Sequence, residues 1–161
     1  MTGREATGRE ATGVEDPVMG RIHAAQLRAA AGERAGAAAD LAALWDEIGG
    51  EAGDPLHAVS LAHFLADLQD DPADELEWDR RALRAADGLT DERAREYHSS
   101  LAVRGFYPSL HLNLAADLVE LGDPEAARHH LDRAEAGFAD LPPGEYADMI
   151  TGAVARLRAQ L

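Results

Sequence analysis

Four Asp-Pro pairs punctuate this chain: Asp16-Pro17, Asp54-Pro55, Asp71-Pro72 and Asp123-Pro124. An Asp carboxylate accepts hydrogen bonds from the orphan amides of a first helical turn, and Pro at the first helical position has the required φ and no amide to leave unpaired. The residue before Pro also avoids helical ψ, which suits a cap. Each pair therefore predicts a helix start. Pro108, Pro142 and Pro143 fall at segment boundaries, so no proline interrupts a helix. Gly49-Gly50, Gly88, Gly105 and Gly122 each follow a periodic run and predict left-handed C-terminal caps. Between these marks apolar residues recur at three and four: Leu61, Leu65 and Leu68; then Leu110, Leu114, Leu118 and Leu121; then Tyr146, Ile150, Val154, Leu157 and Leu161. No β-branched alternation occurs, so the expected fold is all-α. The expected helices cover 17–31, 36–48, 55–69, 72–87, 91–104, 108–121, 124–139 and 144–160, about seven or eight antiparallel elements.

The composition narrows the function classes. A chain of 161 residues supports one hydrophobic core. A formal charge of −15 repels phosphate backbones and anionic lipid, which argues against nucleic-acid and membrane partners. The absence of Cys excludes disulfides and thiolate chemistry. All 15 basic residues are Arg, so Schiff-base and P-loop lysines are excluded too. The N-terminal segment repeats TGREA at Thr2–Ala6 and Thr7–Ala11 with almost no apolar content. Residues 1–15 are therefore read as a disordered low-complexity tail, without the apolar run of a signal peptide, and the expected location is cytoplasmic. Residues 16–161 form the expected domain.

An internal repeat gives the strongest organisational signal. At an offset of 53, Leu61, Ala62, Leu65 and Leu68 fall on Leu114, Ala115, Leu118 and Leu121. At an offset of 52, Asp71-Pro72 falls on Asp123-Pro124 and Arg81-Ala82 on Arg133-Ala134. Such spacing marks stacked helical hairpins, each unable to bury its apolar face alone. The second copy, LNLAADLVELGDPEAARHHLDRAEAGF (Leu112 to Phe138), resembles a tetratricopeptide repeat. Leu114-Ala115 stand at its large–small pair, Leu118 at its mid-helix apolar position and Gly122 at its turn. Ala127, Leu131 and Ala134 stand at the small, large and small positions of the second helix. In the first copy Glu75 and Asp79 occupy the places of Ala127 and Leu131, and Trp78 is displaced by one. The clearest repeats are 55–88 and 108–141. An inserted helix at 90–105 explains why the offset exceeds the family's 34 residues, and an amphipathic helix at 143–161 would cap the stack. The resemblance implies a short α-solenoid. One added helix reverses the up-down alternation, which leaves open whether the repeats share one concave face.

The resemblance also implies a binding groove on the first helix of each repeat. Asn113, the only Asn, stands where the family presents a hydrogen-bonding residue, with Ser109, Leu112, Ala116 and Glu120 as groove neighbours. Leu56, Val59, Ser60, His63 and Asp67 correspond in the first copy. A carboxylate clamp needs basic partners, and Arg104 is the nearest one, so a segment of basic character is favoured over a C-terminal carboxylate. Phe106 and Tyr107, if exposed at the groove mouth, are natural anchoring residues; core packing is the simpler account of the other aromatics.

Seven histidines do not make a metal site, because His129 and His130 are adjacent and no two are spaced i,i+4. Asp70, Asp71, Asp74, Glu75, Glu77 and Asp79 read as a solvated face with a favourable helix dipole. Ser99 and Ser100 follow His98 without a visible triad, and no nucleotide or hydrolase motif occurs. No catalytic residue, cofactor or metal is expected. The expected function is a non-enzymatic interaction module taking a protein or peptide segment. The competing readings are a small-molecule sensor or enzyme in a helical pocket using His63, His111 and the acidic residues nearby, and a structural homodimer subunit.

Overall fold

The computed structural model of the chain describes residues 16–97 and 103–161. The expected tail at 1–15 and His98, Ser99 and Ser100 lie outside the described residues. Among these residues there are eight α-helices and no strand: α1 (Pro17–Ala30), α2 (Arg34–Ile48), α3 (Pro55–Asp67), α4 (Pro72–Asp87), α5 (Asp91–Tyr97), α6 (Tyr107–Glu120), α7 (Pro124–Ala136) and α8 (Glu145–Arg158). No described helix is long and apolar enough to cross a membrane.

The four Asp-Pro starts behave as their chemistry requires. Asp16 accepts from the Val18 and Met19 amides, Asp54 from Leu56 and His57, Asp71 from Ala73, and Asp123 from Ala126. The stops are only partly as expected. Gly49 and Gly122 take the left-handed region, at φ 88° and 78°. Gly88 stays helical at φ −89°, its amide bonding back to Ala85, and Gly105 closes a 3₁₀ turn, Val103–Gly105. The inserted segment is thus not one helix over 91–104: helix is described to Tyr97, and a 3₁₀ turn leads into α6.

α3 packs on α4, α6 on α7, and α4 directly on α6. The described helix of the inserted segment, α5, does not come between the two hairpins. The α1–α2 hairpin packs on α3, and α8 lies against α6 and α7. One core joins Ile22, Leu41, Leu44, Leu61, Leu65 and Ala82 to Leu110; a second joins Leu76 of α4 to Leu114, Leu118, Leu131 and Val154. Leu83 touches both. Alanines with no exposed surface, Ala62, Ala82, Ala115 and Ala134 among them, let the helix backbones approach closely. Trp45 and Trp78 meet edge to face at 5.2 Å, so both serve packing.

Helix starts are also tied to one another by charge. The Asp16 Oδ2 atom lies 2.7 Å from His57 Nε2, and Arg93 of α5 donates to Asp54 Oδ2 at 2.6 Å and approaches Asp16 at 3.6 Å. Burial works against ionising Asp16 and Asp54. The bonds from His57 and the Met19 and Val18 amides to Asp16, and those from Arg93 and the His57 amide to Asp54, together with the nearby positive charges, outweigh it, and both carboxyls are held below their usual range.

Candidate functional site

Packing α4 against α6 brings α3 beside α6, and a cleft of about 200 Å³ forms over the two. Leu56, Val59, Ser60, His63 and Phe64 line it from α3; Ser109 and Leu110 line it from α6, Phe106 from the residue before α6, and Tyr146 from α8. The sequence placed Ser60, His63, Ser109 and Phe106 in a groove, and they do share one cleft. Two hydroxyls are turned to their own helices: Ser60 Oγ donates to the Leu56 carbonyl at 2.8 Å and Ser109 Oγ to the Phe106 carbonyl at 2.9 Å. What faces the cleft from these positions is therefore largely apolar. Asn113 stands one turn along α6 from Ser109, with its amide nitrogen 3.3 Å from His63 Nδ1.

The other expected groove residues lie elsewhere. Leu112 packs into the second core. Ala116 is half-buried and does not line the cleft. Arg104 is exposed on the 3₁₀ turn and stays off the cleft. Tyr107 is not at the mouth: its hydroxyl donates to Asp87 Oδ1 at 2.8 Å, and its ring stacks on His111 at 6.2 Å. Burial, then the bond to Asp87, pushes the phenol up to about 12. His111 in turn stacks on His130, with their Nδ1 atoms 3.0 Å apart. Burial, then the His130, Arg133 and His129 charges, lower His111 to about 4, with Asp87 acting weakly the other way. His63 and His111 consequently do not converge in one cavity. Tyr146 was legible only as the start of the α8 stripe; it is 47% exposed and forms one wall of the cleft.

Beyond Asn113 the surroundings become acidic. Glu75 and Asp79 of α4 meet Asp117 of α6, with one carboxylate oxygen from each lying within 4.8 Å of the other two. Asp67 and Glu120 are exposed, and their charges reach Glu75. The expectation of a solvated face holds for Asp70, Asp71 and Asp74 but fails for Asp79, which is only 2% exposed. The cause is helical periodicity: Leu76, Asp79, Ala82 and Ala86 form one buried stripe of α4. Asp117 likewise sits on the stripe of Leu110, Leu114 and Leu118 and is 3% exposed. Burial pushes both carboxyls upward; the hydrogen bond from Asp117 to Asp79 raises Asp117 further and holds Asp79 back, and the neighbouring acidic charges add to the rise, Asp67 and Glu75 for Asp79, then Asp79, Glu75 and Glu120 for Asp117. Asn113 hydrogen-bonds Asp79 and opposes the rise. No family model, curated protein or solved structure matches this chain.

Proposed function

We propose that the chain is a tetratricopeptide-like binding module whose α3–α6 cleft takes an extended or helical peptide segment of another protein. The observation that carries this reading is the convergence of Ser60, His63, Phe106 and Ser109 with Leu56, Val59 and Tyr146 around one cleft. The order of packing supports it, since each hairpin's second helix lies against the first helix of the next, α2 on α3 and α4 on α6. The apolar floor suits a Leu-, Met- or Phe-sized anchor, and Phe106 and Tyr146 supply aromatic surface. Asp67 and Glu120 near the far end, within a formal charge of −15, favour flanking Arg or Lys on the ligand.

A random peptide library displayed against the full chain tests this. The expected winners carry one large apolar residue next to basic residues. Their affinity, read by fluorescence anisotropy, should drop at least tenfold in Phe106→Ala or His63→Ala and change little in Arg104→Ala. Failure to enrich any such peptide, or enrichment indifferent to Phe106 and His63, would refute the reading.

A further inference from the structure

Asp79 and Asp117 bring two carboxyls together in the core, and one oxygen of each is left without a partner. Asp79 Oδ1 and Asp117 Oδ2 are fully buried and receive no hydrogen bond. Both atoms belong to residues only 2% and 3% exposed, and the bond between the two carboxyls, from Asp117 to Asp79, requires a proton held between two acids. Two buried carboxyls placed so need a positive charge between them, either that proton or a cation in its place. No described basic side chain pairs with either Asp; Arg81 and Arg84 of α4 turn instead to Glu77 and Glu51. The repeat register sharpens the anomaly. At the places of Glu75 and Asp79, α7 carries Ala127 and Leu131, both without exposed surface, so an apolar solution for this position of the fold exists in the same chain.

We propose that Glu75, Asp79 and Asp117 form a binding site for a hard divalent cation of Ca²⁺ size. Three features beyond the acidic cluster point to it. The unpartnered atoms Asp79 Oδ1 and Asp117 Oδ2 belong to the carboxylates that gather there. The donor set is all oxygen, with no Cys and no His within the trio, which selects hard cations over zinc or copper. The trio's oxygens spread within 4.8 Å, and opposed ligands of Ca²⁺ at 2.3–2.6 Å stand up to about 5 Å apart, so the ion bridges them without repacking α4 against α6. Half-buried Glu75 gives the entrance, and exposed Asp67 and Glu120 focus positive charge toward it. This site is separate from the peptide reading, which stands or falls on Phe106 and His63.

The test is calorimetric titration of the chelator-treated full chain with CaCl₂, alongside thermal melts with and without Ca²⁺. The expected result is one equivalent bound, a raised melting temperature, and affinity at least tenfold weaker in Asp79→Asn and in Asp117→Asn. Circular dichroism reports whether these variants keep their helices. If either fails to fold, Glu75→Gln, at a half-buried position, decides by the same tenfold criterion. No saturable binding up to millimolar Ca²⁺ would overturn the proposal and leave the Asp79–Asp117 pair sharing a proton. Several weak equivalents unchanged by Asp79→Asn or Glu75→Gln would overturn it equally, as counterions of an acidic surface.

Discussion

Acidification should destabilise this protein through His111 well before its surface carboxylates protonate. The imidazole is 9% exposed, stacked between Tyr107 and His130, with His129 and Arg133 from α7 and Asp87 from α4 as its charged surroundings. The fold holds its pKa at about 4 against an ordinary 6.5. As pH falls below 6.5 the unfolded chain takes up a proton that the folded chain refuses, so unfolding becomes easier. Stability contributed by the neutral imidazole is complete above 6.5 and is lost progressively down to about 4. At about 1.36 kcal/mol per pH unit, the full loss is about 3 kcal/mol, a substantial share of a small domain's stability. Urea unfolding followed by circular dichroism at pH 7, 6, 5 and 4 measures it, with His111→Gln as reference so that other titrating groups cancel. The wild type should lose about 3 kcal/mol more than His111→Gln over that range. Parallel curves for the two proteins would refute the reasoning, because they would mean that His111 protonates in the fold as freely as in the unfolded chain.

Two glycines should respond to the same substitution with opposite sign. A Cβ on Gly53 would stand 2.3 Å from the Ile48 carbonyl oxygen, so Gly53→Ala should cost about 1–3 kcal/mol in urea unfolding. A Cβ on Gly20 inside α1 meets nothing within 4 Å, and Gly20→Ala should stabilise by about 0.5–1 kcal/mol. Arg93→Met leaves Asp54 without its 2.6 Å partner and removes the link from α5 to the starts of α1 and α3. Hydrogen exchange in α5 should rise, with a global loss of about 1–2 kcal/mol.

The helix boundaries were legible because their signals are local. Asp16, Asp54, Asp71 and Asp123 need only their own first turns to act, and all four do. The cleft was legible in part. Ser60, His63 and Ser109 follow from the repeat register, whereas Tyr146 arrives from a distant helix whose placement depends on how α8 meets α6 and α7. Leu112 and Tyr107 were misplaced because a sequence shows that a residue is on a helix but not which neighbouring helix will cover it. Glu75 and Asp79 are the instructive case. Their substitution for Ala127 and Leu131 looked like decay of the repeat, and the surrounding run of acids looked like solvent-facing charge. The two signals together, acids on a core stripe, contain the buried carboxylate cluster; each alone conceals it.

The direct seating of α4 on α6 separates the order of the chain from the order of its contacts. A connection of residues 88–106 joins two helices that pack directly on each other, and by chain-entropy scaling a twofold change in the length of a flexible loop costs only about 0.6 kcal/mol. The interface between hairpins, not the tether, therefore sets their register. Over evolutionary time the stretch is held at four points, Leu89 and Ala94 in the core, Arg93 on Asp54 and Phe106 in the cleft wall, and change in it is confined to what leaves those contacts in place.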